Sequence, residues 1–390
     1  MTTRDDSLPS PADAPVRGYC DPRFAAVREQ FQQNFVDRSE TGAALAVTLD
    51  GELVIDLYGG WTDAKHTKPW HEDTIVCCYS VGKAICAILS WRLAERGELD
   101  IDRRVADYWP EFAQNGKADV PVRWILTHQS GLPAIRKPLP RGSMLDWDVM
   151  TTALAEQAPW WEPGTAHGYH SNTQGFLIGE VIRRVTGRSI GAHLQGDLSE
   201  PIGLDFHFGT KPEHDARTAD MLPMQQPPDF RRAPPSALQT LGNRNPPHIQ
   251  SGPGSQNTRE YRAAEFPSTT GHGAARGIAR LFGALARDGQ LDGFHVLDPA
   301  TLERMSQEQV YGVDHILGRP TRFASGFQMT MTERPLGPNP RTFGHFGGGG
   351  SLAFADPDAR VGWGYVMNQG RGGWQHRHTR KLLDLFYEAL

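Results

Sequence analysis

The sequence contains little cysteine and no long uncharged apolar run. Its 390 residues include four cysteines, none spaced as Cys-x-x-Cys, so we expect neither a zinc site nor a thioredoxin-like motif. No stretch reaches the roughly 18 uncharged apolar residues of a spanning helix, and we expect no membrane span. The N-terminal residues carry no apolar core of a secretory signal. Together with the sparse cysteine, this predicts a cytoplasmic protein.

The sequence also lacks an excess of positive charge. Its 40 Lys and Arg residues against 45 Asp and Glu give a net charge of −5, whereas nucleic-acid-binding proteins usually carry a basic excess. With 38% hydrophobic and 22% charged residues, the composition is globular and excludes disordered, collagenous and coiled-coil chains. We therefore expect no nucleic-acid partner, and the sequence leaves the oligomeric state open.

Strand patterns lie at both ends of the chain, and helix patterns fill its middle. Apolar runs at 43–49 and 52–58 flank Asp50-Gly51, which predicts a hairpin. Further strands are predicted at 323–331, 351–356 and 362–368. Helices are predicted at 21–36, 82–96, 177–185, 274–286 and 379–389. This order favours an α+β fold, with one sheet built from both terminal segments, flanked by helices, and a helical region inserted between them.

The same patterns suggest a domain division. We predict a flexible tail over residues 1–18, a sheet domain formed by 19–79 and 260–390, and a helical domain over 80–259. The helical domain includes a proline-rich stretch, 222–256, with eight prolines and almost no periodic apolar pattern. That stretch either caps a cleft and sets substrate choice or is a merely decorative loop. The chemistry is expected where the two domains meet.

Ser80 and Lys83 form the sharpest chemical motif, at the start of the predicted helix 82–96. A serine three residues before a lysine on a helix places both side chains on one face. A serine hydroxyl needs an adjacent base to act as a nucleophile, and a partly desolvated amine can lose its proton and serve. The helix N-terminus adds backbone N–H groups for a developing oxyanion. The structural alternative is a serine that caps the helix and a solvated lysine.

The context of this motif resembles a known family. After Ser80-Val81-Gly82-Lys83 come LTHQSGLP at 126–133, Pro-Gly-Thr at 163–165 with Tyr169 four residues beyond the threonine, and His-Phe-Gly at 345–347. In this order they resemble the serine β-lactamase and penicillin-binding-protein superfamily on its class C side, and most of all the family VIII carboxylesterases. The resemblance covers nearly the whole chain and implies a β-lactamase-like fold with an antiparallel sheet.

The resemblance also implies roles for particular residues. Tyr169 would share the serine proton with Lys83, and the N–H groups of Ser80 and Gly348 would form the oxyanion hole. His345 stands where β-lactamases carry lysine, as it often does in the esterase relatives. A mostly neutral histidine implies that no anionic β-lactam carboxylate is required. The residues expected to contact substrate are His345, Gly347, Ser171 and Trp161, although Trp161 is equally compatible with plain packing.

The tyrosine motif departs from the Tyr-x-Asn of class C enzymes. This chain reads Tyr169-His170-Ser171-Asn172, so the asparagine comes one residue late. Either Ser171 occupies the third position, or a one-residue bulge presents Asn172; we favour Ser171. The departure puts in doubt the amide contact that lactamases make to their substrates.

Two other segments imitate catalytic motifs. Gly187-Arg188-Ser189-Ile190-Gly191 matches the G-x-S-x-G pattern of α/β-hydrolases, but it follows a helical stretch and not a strand, so we expect a link between two helices. His128 is expected to be a structural hydrogen-bonding residue. His376 and His378 lie close in sequence, but without a third ligand at suitable spacing we predict no metal site.

These features predict a serine carboxylesterase that works through an acyl-enzyme on Ser80, with Lys83 and Tyr169 as the base. The expected substrates are short-chain or aryl esters, or lactones, and no cofactor is needed. Two alternatives stay open. One is a β-lactamase, D-amino-acid peptidase or amide hydrolase on the same scaffold, and the other is a catalytically inactive penicillin-binding-like interaction protein.

Overall fold

The structure is a computed structural model that describes residues 13–37, 39–226, 234–247, 254–372 and 376–390. Its strands are β1 (Arg17–Cys20), β2 (Gly42–Leu49), β3 (Glu52–Gly60), β4 (Val76–Cys77), β5 (Phe206–His207), β6 (Leu222–Gln225), β7 (His272–Gly273), β8 (Gln290–Leu291), β9 (Phe294–His295), β10 (Val310–Asp314), β11 (Arg319–Phe323), β12 (Gln328–Met329), β13 (Phe343–Phe346), β14 (Leu352–Asp356), β15 (Val361–Met367) and β16 (Gln369–Arg371).

The helices alternate with these strands and concentrate in the middle of the chain. They are α1 (Ala25–Val36), α2 (Val81–Glu95), α3 (Val122–Leu126), α4 (Trp147–Glu156), α5 (Thr173–Thr186), α6 (Ile190–Leu194), α7 (Glu200–Ile202), α8 (Ala237–Arg244), α9 (Arg259–Ala263), α10 (Ala275–Leu285), α11 (Pro299–Ser306) and α12 (Arg377–Glu388). None of the described helices combines the length and the apolar character that crossing a membrane requires.

One antiparallel sheet of nine strands joins the two ends of the chain. Its order is β1-β3-β2-β15-β14-β13-β12-β11-β10, so the N-terminal strands β1 to β3 pair with the C-terminal strands through β2 and β15. The β2–β3 hairpin turns at Asp50 and Gly51, which both have positive φ, as a two-residue type I′ turn requires. The predicted α+β fold with a sheet made from both terminal segments is confirmed.

Glycines let helix α10 lie directly on the sheet. A Cβ on Gly362 of β15 would stand 2.1 Å from the backbone nitrogen of Gly283, and one on Gly364 would stand 2.4 Å from the carbonyl oxygen of Ala275. Trp363, between them, points to the other face and packs on Phe386 of α12. Because side chains alternate along a strand, the glycines of β15 define the face that receives α10, and the aromatic residue defines the face that receives α12.

Helix α2 runs through the centre of the molecule. Every residue from Val81 to Leu93 is buried, which fits a segment with few polar side chains. The helix packs against α5 and β13, so its first turn lies at the junction of the sheet and the helical region. The small sheet β4-β7-β5 leads the chain into this first turn.

Several predicted boundaries differ from the observed ones. Strand β1 begins at Arg17, inside the predicted tail, because residues 17–20 pair with β3; residues 1–12 lie outside the described part. The predicted strand 323–331 is interrupted between β11 and β12. The proline-rich stretch contains β6 and α8, and its residues 227–233 and 248–253 lie outside the described part. The division into a sheet domain and a helical domain stays a prediction.

The contact between β15 and α10 predicts a stability effect. Gly362→Ala would place a methyl group against the backbone of Gly283, and overpacking of this kind costs about 1–3 kcal/mol. We expect the free energy of unfolding, measured by urea denaturation, to fall by that amount. Gly196→Ala is the matched control, because its Cβ would meet only an arginine side chain at 3.5 Å. Equal stability of the two variants would contradict the close packing described here.

Candidate active site

Ser80 lies at the N-terminal end of α2, but its side chain does not cap that helix. The residue before it, Tyr79, has a φ of 48°, a conformation that L-residues other than Asn and Asp rarely adopt. The Ser80 hydroxyl instead lies 3.2 Å from the Nζ atom of Lys83. The structural alternative for Ser80, a simple helix cap, is therefore wrong, and strain before a serine of this kind is typical of functional sites.

Lys83 is fully buried one turn further along α2. Its Nζ donates hydrogen bonds to the backbone carbonyl oxygens of Ser171, at 2.8 Å, and Ser268, at 3.3 Å, as well as to Ser80 Oγ. Burial lowers the pKa of Lys83 to about 7, because a desolvated ammonium is disfavoured. A large fraction of this amine is therefore unprotonated near neutral pH, and it lies within hydrogen-bonding distance of a hydroxyl.

Tyr169 completes this group of side chains. Its ring centroid lies 5.0 Å from Lys83 Nζ, and its phenol hydrogen-bonds to Ser80. Burial raises the pKa of Tyr169, while the hydrogen bond with Ser80 and the charge of Arg319 act in the opposite direction. The structure thus brings together the three residues that the sequence selected, with the phenol protonated near neutral pH.

Glycine allows the backbone to come close to the lysine. A Cβ on Gly82 would lie 2.1 Å from the carbonyl oxygen of Pro267, and one on Gly175 would lie 2.6 Å from the Ser268 nitrogen. The loop before β7 therefore lies directly against α2 and α5. This approach is what carries the Ser268 carbonyl to the buried amine.

The third motif lies beside the turn that precedes Ser80. A Cβ on Gly347 would stand 2.3 Å from the carbonyl oxygen of Cys78, and one on Gly348 would stand 3.4 Å from the ring of Tyr79. Within the described residues, the Ser80 amide donates no backbone hydrogen bond. The backbone of Gly348 and the Ser80 residue line one cavity. This placement agrees with the expected pair of oxyanion donors, which stays a prediction.

His345 is buried behind this surface and does not line the cavity; its neighbour Phe346 does. Its Nδ1 lies 2.7 Å from the carbonyl oxygen of Phe346 and must donate to it, so Nε2 is left as an acceptor. Burial lowers the pKa of His345 to about 3, so the imidazole is neutral. The third motif therefore supplies no positive charge at neutral pH.

A cavity of about 680 Å³ opens in front of Ser80. Its wall combines apolar, polar and basic groups from three parts of the chain: Tyr169, Ser236, Gln239, His315, Ile316, Arg319, Arg334, Phe346, Gly347 and Gly348. A volume of this size suits a small-molecule ligand. Of the four predicted substrate contacts, Gly347 is on this wall, whereas His345, Ser171 and Trp161 are not among the residues that line it.

Trp161 and Ser171 have other contacts. The indole N–H of Trp161 donates to the carbonyl oxygen of Ala166 at 3.0 Å, and its ring lies 5.9 Å from that of His315, so it supports a wall residue from behind. Ser171 contributes its carbonyl oxygen to Lys83. The side chain of Asn172 donates to the carbonyl oxygen of Gly242 in α8 at 2.9 Å. The lysine is thus held here by a main-chain oxygen of Ser171.

The sequence gave no indication of two residues that position the tyrosine segment. Asp314 is buried, and its carboxylate accepts hydrogen bonds from the amides of Tyr169, at 3.0 and 3.1 Å, and of Ile316 and Leu317, both at 2.8 Å. His170 accepts from the amide of Leu132 at 3.0 Å through Nε2, which ties LTHQSGLP to the tyrosine motif. These contacts join residues far apart in sequence, and no local pattern marks them.

His128 and Ser189 have structural contacts. The Nδ1 atom of His128 accepts from the amide of His170 at 3.2 Å. Ser189 caps α6 by accepting from the Ala192 amide, and its hydroxyl donates to the carboxylate of Glu265 at 2.6 Å. The G-x-S-x-G segment follows α5 and links it to α6, as predicted, so it does not form a nucleophile elbow.

Known proteins resemble this chain along most of its length. A family profile described as Beta-lactamase matches residues 27–387. "Esterase/beta-lactamase LipL" of Mycobacterium tuberculosis is 34% identical over 368 residues, which cover 91% of this chain and 83% of that protein. The crystal structure of a family VIII carboxylesterase has a TM-score of 0.88 and 39% identity, covering 96% of this chain and 100% of that one. A penicillin-binding-protein homologue from Caulobacter crescentus has a TM-score of 0.90 and 38% identity, with the same coverage.

The contacts of Asp314 predict a positioning role. Asp314→Asn would turn an NH₂ group toward backbone N–H donors that now meet a carboxylate, and the tyrosine segment would shift. We expect kcat/KM for p-nitrophenyl butyrate to fall at least about tenfold, because misplacement of a reacting group by about 1 Å is costly. Asp119→Asn is the control, since that carboxylate is exposed and lies 3.8 Å from Arg104. Full activity of Asp314→Asn would contradict this role.

Proposed function

The chain belongs to the beta-lactamase family and is a serine hydrolase of that superfamily, and we propose that it cleaves carboxylic esters through an acyl-enzyme on Ser80. One observation carries the proposal: a serine hydroxyl at the edge of a cavity lies 3.2 Å from a buried amine whose pKa is about 7. A nucleophile with an adjacent base that is largely unprotonated at neutral pH is the requirement for covalent acyl transfer.

In the proposed acylation step, Ser80 Oγ attacks the ester carbonyl carbon while its proton passes to Lys83 Nζ. The negative charge that develops on the carbonyl oxygen is received by the backbone N–H groups of Ser80 and Gly348. Collapse of the tetrahedral intermediate breaks the bond to the alcohol oxygen. The proton returns from Lys83 through the Tyr169 phenol to that oxygen, so the alcohol leaves neutral and the acyl group stays on Ser80.

The two candidate bases have different roles in this proposal. Burial lowers the pKa of Lys83 and raises that of Tyr169, so the amine and not a phenolate accepts the serine proton. Tyr169, protonated and hydrogen-bonded to Ser80, is placed to relay a proton. Water entering from the cavity then attacks the acyl carbon. It gives up its proton by the same route, and the acid is released.

The proposed substrates are short-chain or aryl esters, or lactones. Support comes from His345, which burial keeps neutral, so the position that carries lysine in β-lactamases offers no charge to a substrate carboxylate. The side chain of Asn172 is committed to Gly242, which removes the amide that would contact a β-lactam. The esterase in the name of the 34% identical relative adds to this support.

The first test compares wild type with Ser80→Ala on p-nitrophenyl acetate and butyrate. We expect loss of at least about 10⁴-fold in kcat, because the variant cannot form the covalent intermediate. Ser189→Ala is the control and should retain full activity. A chromogenic cephalosporin, assayed beside the esters, should be hydrolysed with a lower kcat/KM. Full ester hydrolysis by Ser80→Ala would overturn the mechanism, and cephalosporin turnover above that of both esters would favour a β-lactamase.

The pKa of Lys83 predicts a pH profile. Below about pH 7 the amine is mostly protonated and cannot accept the serine proton, so kcat/KM should fall about tenfold per pH unit there and level off above pH 8. The measurement is hydrolysis of p-nitrophenyl butyrate from about pH 5 to 9, corrected for the uncatalysed rate. Tyr169→Phe should lower the plateau and keep the limb near pH 7. A wild-type profile that is flat across this range would exclude Lys83 as the base.

A further inference from the structure

Helix α8 and the residues before it form one side of the cavity in front of Ser80. Pro234, Ser236 and Gln239 line the cavity, and Ser236 caps α8 by accepting from the Gln239 amide at 3.0 Å. No residue of α8 is buried, so few apolar contacts hold this helix in place. Its position depends on polar contacts to the rest of the protein.

Two asparagines supply these contacts. Asn172, three residues after Tyr169, donates from Nδ2 to the carbonyl oxygen of Gly242 in α8 at 2.9 Å. At the C-terminal end of α8, Asn245 donates to the carbonyl oxygens of Ile135, at 2.8 Å, and Lys137, at 2.9 Å. Asn245 therefore fixes the end of the helix to the loop after LTHQSGLP. Asn172 fixes its middle to the segment that carries the catalytic tyrosine.

We propose that Asn172 is a specificity-determining positioning residue, which holds α8 against the cavity and thereby limits the size of the acyl group that the enzyme accepts. The inference rests on the proposed esterase function, but its structural part does not. Asn172 touches no reacting atom: its amide is committed to α8, and it is the carbonyl of the preceding residue, Ser171, that contacts Lys83.

The geometry explains why size is the property controlled. Gln239 lies one helical turn before Gly242 on α8, so the bond to Gly242 sets how far the Gln239 side chain enters the cavity. A Cβ on Gly242 would lie 3.3 Å from the carbonyl oxygen of Pro133, so the helix has little space to move inward. Loss of the Asn172 contact would therefore release α8 outward and enlarge the cavity.

The test uses Asn172→Asp, which keeps the shape of the side chain and turns a carboxylate toward the Gly242 carbonyl. We expect the ratio of kcat/KM for p-nitrophenyl octanoate to that for p-nitrophenyl acetate to rise about three- to tenfold, the range of one net hydrogen bond. The matched control is Asn115→Asp, whose Nδ2 donates to the carbonyl oxygen of Glu156 elsewhere in the protein. In the control the ratio should not change.

A double-mutant cycle separates the proposed role from a general disturbance of the site. Gln239→Trp narrows the cavity and should lower the octanoate-to-acetate ratio in wild type. In the Asn172→Asp background the same substitution should have at most a third of that effect, because α8 no longer holds residue 239 over the substrate. Additive effects, or equal losses of kcat/KM on both esters in Asn172→Asp, would overturn the inference and leave the esterase proposal intact.

A structural readout keeps the inference testable without any ester activity. Amide hydrogen exchange of the peptide that contains α8 should be at least about fivefold faster in Asn172→Asp than in wild type or Asn115→Asp, since the helix opens more often. Unchanged exchange would overturn the inference whatever the substrate is. Faster exchange with no ester turnover by wild type would support the contact and refute the esterase proposal.

Discussion

Burial of the Lys83 amine is the constraint on which the rest of the site depends. An ammonium inside a protein is costly, and the structure meets this cost with oxygen acceptors from three different parts of the chain and with a pKa of about 7. The same desolvation makes the amine a base for the adjacent hydroxyl. Stability and reactivity are therefore opposed here: a solvated lysine would be easier to accommodate but would stay protonated at neutral pH.

To surround that amine, the backbone must approach helix α2 more closely than side chains allow. The glycines at 82 and 175 admit the loop that carries the Ser268 carbonyl, and Gly347 admits strand β13 to the turn before Ser80. The positive φ of Tyr79 is part of the same compression. The glycines of β15 do the equivalent for α10 on the sheet, so close backbone packing is a recurring device of this fold.

The sequence predicted what is encoded locally. Ser80 and Lys83 are one helical turn apart, and the Asp50-Gly51 hairpin follows from adjacent residues, so short-range patterns were enough for both. The family resemblance located Tyr169 and the third motif. Nothing local indicated that the Asp314 carboxylate, 145 residues from Tyr169, would hold its amide, or that Ser268 would bind the lysine. His345 was expected to contact substrate, but the alternation of β13 places Phe346 on the cavity wall instead.

The four residues from 169 to 172 show how one departure from a motif is used. The phenol of Tyr169 reaches Ser80, the ring of His170 holds the Leu132 amide, the carbonyl of Ser171 holds Lys83, and the amide of Asn172 reaches α8. In a Tyr-x-Asn motif the asparagine would sit at the position that Ser171 occupies here. The extra residue moves the amide away from the lysine and toward the wall of the cavity. Proton transfer and substrate size are thus linked through a single peptide bond between Ser171 and Asn172.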